Sequence, residues 1–322
     1  MNKKILVIGS GSWGTALANH LATNGNIVDL YVRNDHLFNI IKNTGRNQHY
    51  LPQINLNNNL SPVKYYNIDA DLVFIVVPSS SAIDIFQQIA TTNFKQNAVF
   101  VICTKGFVDN KPTLLSTSFG NITSRQNFAT LYGPNFAYEL AIKQPTVTTI
   151  ASNNKNVAQT VIDCLNNDYF TAKYSADVVA SEICAILKNI MAIGCGLLDG
   201  FDLGSNAKAA LICRGALEIE LLCKFFGTKP DFSSPACIGD IFLTCSSMQS
   251  RNYSLGYKIA KNQQVDLGKT HEGAVAATII SDFADQQKIK LDLCKTIAKI
   301  IACFSKKQDN NHLQQIKTAI LQ

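Results

Sequence analysis

The chain has 322 residues, of which 47% are hydrophobic and 16% charged, and its formal net charge is +6 at pH 7. That length is enough for one large domain or two ordinary ones, and the composition is typical of a folded protein and not of a disordered one. The basic residues are scattered and form no dense stripe, which argues against a nucleic-acid partner, whereas the mild positive charge favours a small phosphorylated molecule.

The first apolar run, residues 5–8, ends at Gly9 and is too short for the core of a secretory signal. We find no stretch that approaches the ~20 apolar residues of a membrane span, so we expect no span and a cytoplasmic location. None of the ten cysteines forms a C-x-x-C pair. This spacing predicts buried, reduced thiols and no metal site.

The first half of the chain alternates short apolar runs with helical patterns. Continuous apolar runs predict strands at residues 5–8, 27–32, 72–77, 99–102, 128–131 and 147–150. A helix is predicted at residues 13–23, ending at Asn24-Gly25. Strands without alternation are typical of a sheet buried on both faces. We therefore predict a doubly wound α/β domain of the Rossmann type over residues 1–174, with an irregular or loosely helical stretch at 43–67.

The second half changes character near Ser175, where the strand-like runs stop. Apolar residues at helical spacing predict helices at residues 176–198, 205–226, 271–288, 291–304 and 312–321. The sequence thus predicts an all-α second domain over residues 175–322.

A glycine-rich turn follows the first predicted strand. The segment Gly9-Ser10-Gly11-Ser12-Trp13-Gly14 fits G-x-G-x-x-G and opens the first helix. In that setting the first glycine allows a tight turn, the second lets the backbone approach a pyrophosphate, and the third lets helix and strand pack closely. The alternative is a glycine-rich turn that binds nothing.

The residue after the second strand helps to choose the cofactor. An acid there binds the ribose 2′-hydroxyl of NAD, whereas an arginine accepts the 2′-phosphate of NADP. This chain has Arg33, with Asp35 just beyond. NADP is favoured and NAD stays open, as does an ordinary surface role for Arg33.

One lysine lies in an almost wholly apolar helical segment. Between Glu182 and Asp199, Lys188 is the one side chain expected to be charged, with Asn189 beside it. Burial disfavours the charged form of a lysine, and a lysine with a lowered pKa can exchange a proton near neutrality. Either Lys188 reaches out to solvent, or it serves chemistry.

Two further clusters carry polar side chains. Asp240 and Thr244 are four residues apart, which places them on one face of a helix. In Ser250-Arg251-Asn252, an arginine and two small polar residues form a compact set of donors suited to a phosphate. For each cluster the alternative is a helix cap or a turn.

These motifs, in this order, resemble those of the bacterial NAD(P)-dependent glycerol-3-phosphate dehydrogenases over essentially the whole chain. The matching segments include Gly9–Ala18, Cys103–Gly106, Gly133–Ala137, Leu187–Asn189, Arg214–Glu218, Gly239-Asp240 with Thr244-Cys245, and Ser250–Asn252. The resemblance implies an enzyme that interconverts sn-glycerol 3-phosphate and dihydroxyacetone phosphate with NAD or NADP, for glycerophospholipid synthesis.

The resemblance also implies roles for individual residues. Lys188 is the expected proton acceptor, with Asp240, Thr244 and Lys105 beside it in catalysis. The expected substrate contacts are Lys105, Gly133, Asn135, Lys188, Asn189, Asp240, Ser250, Arg251 and Asn252. The expected cofactor contacts are Gly9, Gly11, Ser12, Trp13, Gly14, Arg33, Lys105, Ala137, Arg251, Thr270 and Glu272.

Two departures accompany the resemblance. The family usually has serine or threonine at the position of Asn135, and the connection from Arg251 to Glu272 is shorter than usual. Two rival functions remain: another two-domain dehydrogenase acting on a 3-hydroxy acid or a phosphogluconate, or an NAD(P)-binding sensor without turnover. Helical second domains of this kind often pair, so a homodimer is also expected.

Overall fold

The computed structural model describes residues 2–108, 111–265, 271–305 and 312–321. The chain forms two compact units. Unit 1 comprises Met1–Thr104 and Leu115–Val178, and unit 2 comprises Lys105–Leu114 and Val179–Gln322. The division predicted before residue 175 lies four residues ahead of the boundary after Val178. It also places residues 105–114 in the first domain, whereas Phe107 and Leu114 pack in the core of unit 2.

Ten strands are described in chain order. They are β1 (Lys4–Ile8), β2 (Ile27–Tyr31), β3 (Leu60–Val63), β4 (Leu72–Ile75), β5 (Val99–Ile102), β6 (Phe107–Val108), β7 (Thr113–Leu114), β8 (Phe128–Tyr132), β9 (Thr146–Ala151) and β10 (Phe170–Ser175). The six predicted strands are confirmed to within two residues at each end. Strand β3 lies inside the stretch predicted to be irregular, and β10 was not predicted.

Thirteen α-helices are described. They are α1 (Ser12–Thr23), α2 (Asp35–Thr44), α3 (Ala82–Thr91), α4 (Leu115–Thr123), α5 (Ala137–Ala141), α6 (Lys155–Leu165), α7 (Val178–Gly200), α8 (Ser205–Phe225), α9 (Asp240–Cys245), α10 (Arg251–Ala260), α11 (Glu272–Gln287), α12 (Asp292–Ser305) and α13 (His312–Leu321). Short helical turns of other pitch occur at Ser79–Ser81 and Pro235–Gly239. The helices predicted around α1, α7, α8, α11, α12 and α13 are confirmed.

Unit 1 is built on an eight-stranded sheet with the order β10-β9-β8-β5-β4-β1-β2-β3. Neighbouring strands are parallel except for β8 and β9, which are antiparallel. The chain runs outward from β1 to β2 and β3, then crosses to β4 on the other side of β1. Ligands of doubly wound sheets bind beyond the carboxyl ends of the strands at such a reversal.

Unit 2 contains the long helices and the two-stranded β6–β7 ribbon. Its central helix is α7, whose residues from Ile183 to Leu198 are all buried. Helix α10 crosses α7 at very short range: a Cβ on Gly256 would lie 1.9 Å from the Ile193 carbonyl oxygen, and one on Gly196 would lie 2.0 Å from that of Tyr253. Glycine at both positions lets the two backbones meet.

Helix α7 corrects one expectation. By length and composition it could cross a membrane, with 23 residues and a mean hydropathy of 1.7 over its most apolar window. The prediction that no stretch approaches the length of a span is therefore wrong. However, 94% of that window is buried inside the protein, as expected of the core helix of a folded unit.

Candidate active site

The glycine-rich turn of unit 1 joins β1 to α1 at the reversal of strand order. Gly9 has φ +124°, and a Cβ there would lie 2.1 Å from the carbonyl oxygen of Val76, which follows β4. A Cβ on Gly14 would lie 1.9 Å from the Gly9 carbonyl oxygen, whereas one on Gly11 would meet no atom within 4 Å. The turn is therefore tight at its two ends and open at Gly11.

Helix α1 begins at Ser12 with Trp13 in its first turn, and no side chain caps it at Gly11. The first N–H groups of a helix have no intrahelical partners, and they carry a partial positive charge that attracts anions. This helix start therefore has the chemistry of a phosphate site.

Arg33 lies beyond the end of β2 and is exposed. The nearby Asp35 pairs with Lys64, whose ammonium lies 2.5 Å from the Asp35 carboxylate and also donates to the Arg33 carbonyl. The arginine is thus presented to solvent, while the acid that would favour NAD already has a cationic partner.

Three more predicted residues follow β8. Gly133 comes directly after the strand, and Ala137 begins α5. Asn135 is tied to β9, because its Nδ2 donates to the Val147 carbonyl at 3.0 Å and its Oδ1 accepts from Thr148 Oγ1 at 3.1 Å. These bonds leave part of the amide available, and its contact with substrate stays a prediction.

The centre of unit 2 is a buried ion-pair network. Lys188 Nζ donates to Asp240 Oδ1 at 2.8 Å and to Thr244 Oγ1 at 2.7 Å, with the lysine side chain only 7% exposed. The ammonium therefore does not reach out to solvent. Lys105 Nζ donates to the other carboxylate oxygen of Asp240 at 2.8 Å. Thr244 and Asp240 share one face of α9, as their spacing predicts.

The protonation of this network follows from its surroundings. Burial lowers the pKa of Lys188 to about 8, although Asp240 opposes the shift. Burial also acts to raise the pKa of Asp240, but the ammonium groups of Lys105 and Lys188 outweigh it and hold that pKa below its ordinary value. The pair therefore combines an ionised carboxylate with a lysine that can exchange protons near neutral pH.

The residues around α10 complete the predicted set in unit 2. Ser250 caps this helix, since its Oγ accepts from the Tyr253 N–H, and Arg251 is exposed in the first turn. Asn252 Oδ1 accepts from the Gly273 N–H at 3.1 Å, which ties the start of α10 to the start of α11. The cap interpretation thus holds for Ser250.

Helix α11 starts close to the lysine helix. A Cβ on Gly273 would lie 2.6 Å from the Asn189 carbonyl oxygen, which brings the start of α11 against the residue after Lys188. Burial raises the pKa of the neighbouring Glu272, opposed by the charges of Arg251, Lys105 and Lys188. Thr270 lies outside the described residues.

The cysteines of the chain are free thiols. All ten cysteines lie within the described ranges and are unbridged, and nine of them are buried. Among the residues that the structure describes, no group of three or more His, Cys, Asp or Glu side chains is arranged to hold a metal ion.

The contacts of Asn47 in unit 1 were not predicted from the sequence. This side chain is fully buried and bonds to the glycine-rich turn. It lies in the asparagine-rich stretch predicted to be irregular, where no pattern distinguishes it from its neighbours.

A doubly wound sheet with this turn, together with a helical unit holding a buried lysine–carboxylate pair, defines a nicotinamide-dependent dehydrogenase of the two-domain kind. The family model for the N-terminus of NAD-dependent glycerol-3-phosphate dehydrogenase matches residues 4–158. The model for the C-terminus of the same family matches residues 177–310. The chain belongs to the NAD-dependent glycerol-3-phosphate dehydrogenase family.

Individual relatives agree. The chain is 32% identical to a glycerol-3-phosphate dehydrogenase [NAD(P)+] of Wolbachia sp. subsp. Drosophila simulans, covering 92% of this chain and 95% of that protein. It is 31% identical to the protein of that name from Bacillus subtilis, covering 93% and 90%. A crystal structure of glycerol-3-phosphate dehydrogenase from Coxiella burnetii superposes with a TM-score of 0.89 at 28% identity, covering 100% and 99% of the two chains.

Proposed function

We propose that this protein is a glycerol-3-phosphate dehydrogenase that uses NAD or NADP to interconvert sn-glycerol 3-phosphate and dihydroxyacetone phosphate. Its physiological role would be to supply glycerol 3-phosphate for glycerophospholipid synthesis. The observation that carries the proposal is the buried Lys188–Asp240 pair, whose lysine has its pKa lowered to about 8. Membership of the family supports the choice of substrate.

Unit 1 fits a dinucleotide. The space beside Gly11 and the first N–H groups of α1 form a cradle for a pyrophosphate, with Gly9, Ser12, Trp13 and Gly14 shaping the turn. We assign Arg33 to the 2′-phosphate of NADP, and Ala137, Lys105, Arg251, Thr270 and Glu272 to further contacts with the cofactor. A bound nicotinamide cofactor would supply the hydride-transfer chemistry at carbon 2 of the substrate.

Lys188 is the proposed proton-transfer residue. As the neutral amine, its Nζ takes the proton of the carbon-2 hydroxyl when glycerol 3-phosphate is oxidised. As the ammonium, it gives that proton to the carbonyl oxygen when dihydroxyacetone phosphate is reduced. Asp240 and Thr244 hold Nζ in place through bonds of 2.8 and 2.7 Å. A positioned acid–base group of this kind contributes roughly 10²–10⁴-fold in rate.

We assign the substrate phosphate to Arg251, whose exposed guanidinium offers several donors in one plane, with Asn252 beside it. Lys105 adds positive charge at this site, because its ammonium and that of Lys188 both donate to the Asp240 carboxylate. Gly133, Asn135, Asn189 and Ser250 are proposed as further substrate contacts.

A substrate panel tests the function. Purified protein is mixed with NADH or NADPH, and loss of absorbance is followed with dihydroxyacetone phosphate and with keto forms of 3-hydroxy acids and of phosphogluconate. Oxidation with dihydroxyacetone phosphate alone supports the proposal. Oxidation with a keto acid instead would assign another dehydrogenase activity, and tight NADPH binding without oxidation of any substrate would indicate a sensor.

We also propose a cytoplasmic location, a core role for α7 and assembly as a homodimer. The burial of α7 and the ion pair formed by its Lys188 support the core role. Fractionation without detergent tests the location: recovery with the membranes would contradict it. Light scattering tests the dimer: the mass of one chain would contradict it.

A further inference from the structure

A buried asparagine far along the chain bonds to the glycine-rich turn. Asn47 is 0% exposed. Its Nδ2 donates to the Ser10 carbonyl at 2.9 Å and to Thr15 Oγ1 at 2.8 Å, and Thr15 Oγ1 in turn donates to the Ser10 carbonyl at 3.3 Å. Both hydrogens of the amide are thus used, one on the turn and one on the Thr15 side chain of α1, and its Oδ1 accepts from the Tyr50 N–H.

The loop that carries Asn47 is itself anchored. Helix α2 ends at Thr44, and Gly45 follows it in a left-handed conformation with φ 62°. The Asn47 carbonyl then accepts from the N–H groups of Tyr50 and Leu51, at 3.2 and 2.8 Å, and the Leu51 side chain is buried in the core of unit 1. These contacts therefore hold the backbone of Asn47 in a fixed position.

Fixing the Ser10 carbonyl has a consequence for binding. In a planar trans peptide the carbonyl and the next N–H point in opposite directions. Anchoring the Ser10 oxygen therefore fixes the direction of the Gly11 N–H, at the open position of the turn. Donors that are already oriented bind an anion without paying the cost of ordering them.

We infer that Asn47 is a positioning residue for the dinucleotide, holding the Ser10–Gly11 peptide in the orientation that receives the pyrophosphate. This inference rests on the proposed function of unit 1. It assigns to Asn47 an effect on cofactor affinity through Ser10 and Thr15, with no part in proton transfer.

Asn26 provides a matched control. It is a second buried asparagine of unit 1, at the opposite end of α1. Its Nδ2 donates to the Leu21 carbonyl at 2.9 Å, and its Oδ1 accepts from the Lys3 N–H at 3.2 Å. Replacing either asparagine removes buried amide bonds near α1, but only Asn47 bonds to the turn.

The experiment compares Asn47→Ala, the near-isosteric Asn47→Leu, and Asn26→Ala with the wild type. Trp13 is the one tryptophan of the chain and lies in the turn, so its fluorescence reports NADH or NADPH binding at the site. Each titration is run well below the Tm of the variant concerned, and steady-state kinetics are measured on the same samples.

Both Asn47 variants should raise the Kd and the KM for the cofactor by about ten-fold or more, as expected when buried hydrogen bonds that orient a binding group are lost. Their kcat at saturating cofactor and KM for dihydroxyacetone phosphate should stay within about two-fold of wild type. Asn26→Ala should lower the Tm and leave the Kd unchanged.

Unchanged cofactor affinity in the Asn47 variants would overturn the inference and leave Asn47 a purely structural residue. An equal loss of affinity in Asn26→Ala would also overturn it, because the effect would then be a general loosening of unit 1. Failure of the wild type to bind either dinucleotide would instead contradict the proposed function, and the two failures are therefore distinguishable.

Discussion

Lys188 keeps a charged group inside an apolar helix because Asp240 and Thr244, both on one short helix, accept hydrogen bonds from its ammonium. Moving an unpaired ammonium into a core of this kind would cost several kcal/mol, so the carboxylate is needed for the fold as well as for chemistry. The compromise is a lysine with its pKa lowered to about 8, much closer to the pH at which the enzyme would work.

The first prediction concerns pH. Oxidation of glycerol 3-phosphate requires neutral Lys188, so its kcat/KM should rise with pH and level off above about 8. Reduction of dihydroxyacetone phosphate requires the ammonium, so its kcat/KM should fall above the same pH. Asp240, whose pKa is lowered by both lysines, stays ionised throughout. Initial rates in both directions over a pH series measure the two inflections.

The Lys105→Met variant sharpens this test. The charge of Lys105 lowers the pKa of Lys188, so its removal should move both inflections to higher pH. Inflections at the wild-type pH in this variant, or profiles that rise together in both directions, would contradict the assigned proton transfer.

The second prediction concerns the phosphate. Arg251→Ala should lower kcat/KM for dihydroxyacetone phosphate by about 10–100-fold, the loss expected for hydrogen bonds to a charged group. With the cofactor at saturating concentration, activity with unphosphorylated dihydroxyacetone should change by less than about two-fold. Arg251→Lys keeps the charge but loses the planar guanidinium. Its kcat/KM for dihydroxyacetone phosphate should lie between those of the wild type and Arg251→Ala. Equal losses on both substrates would show that Arg251 does not read the phosphate.

At the scale of single residues, a functional side chain can be identified from the sequence when it is unusual among its neighbours. Lys188 is conspicuous because its helical neighbours are apolar, and Asp240 and Thr244 because their spacing places them on one helix face. The pairing of Lys105 with Asp240 joins residues 135 positions apart, and no local pattern could reveal it. Asn47 is missed for the same reason, since its partners come from a turn that precedes it by more than thirty residues.

At the scale of elements, α8 supports the start of α12 through one buried carboxylate. Glu218 is 0% exposed, and its two oxygens accept from the N–H groups of Leu293 and Cys294 at 2.6 and 3.0 Å. These donors belong to the first turn of α12, where N–H groups lack helical partners. Burial raises the pKa of Glu218, while the two N–H groups and Arg214 oppose the shift.

The third prediction tests this cap. Glu218→Gln keeps one acceptor but turns an NH₂ group toward a backbone donor, which leaves a buried donor unsatisfied at a cost of about 1–3 kcal/mol. We expect the Tm to fall by about 2–10 °C, measured by thermal unfolding, with KM values unchanged. Glu220→Gln, on the exposed side of the same helix, is the control and should shift Tm by no more than about 1 °C. Equal shifts in the two variants would contradict the capping role.

The elements themselves were predictable where burial is complete. Strands such as β4 and β5 are buried at every position, so their sequences are continuous apolar runs. Strands β3 and β10 are the two edges of the sheet and are partly exposed, and one contains Pro62 while the other contains Lys173. Edge strands carry such residues because one side of the strand has no partner, and the same residues hide the strand from a search for apolar runs.

At the scale of the whole molecule, composition indicates two folded units. It does not indicate that a short segment from the first half of the sequence belongs to unit 2. Residues 105–114 follow β5 in sequence, yet Phe107 and Leu114 of this segment pack in the core of unit 2. The sequence change near residue 175 marks where helices begin and carries no information on this segment. As a result, Lys105 belongs to the same unit as its partner Asp240.

The fourth prediction uses the net charge of +6. A positively charged protein attracts an anionic substrate, and salt screens this attraction. We expect kcat/KM for dihydroxyacetone phosphate to fall several-fold between about 20 and 300 mM NaCl, with kcat nearly constant. Neutral dihydroxyacetone is the control and should show little dependence on salt. A similar fall for both substrates would indicate that salt acts on the enzyme and not on substrate capture.

The Lys188→Met variant, assayed for turnover and for binding on the same sample, tests the proposed role of Lys188 in proton transfer. We predict a loss of kcat for dihydroxyacetone phosphate reduction of about 10²-fold or more, because the proton donor is gone. The Kd for NADPH, read from Trp13 fluorescence, should stay close to that of the wild type, since the dinucleotide turn lies in unit 1. Near-normal turnover in this variant would contradict the assignment of Lys188 as the proton-transfer residue.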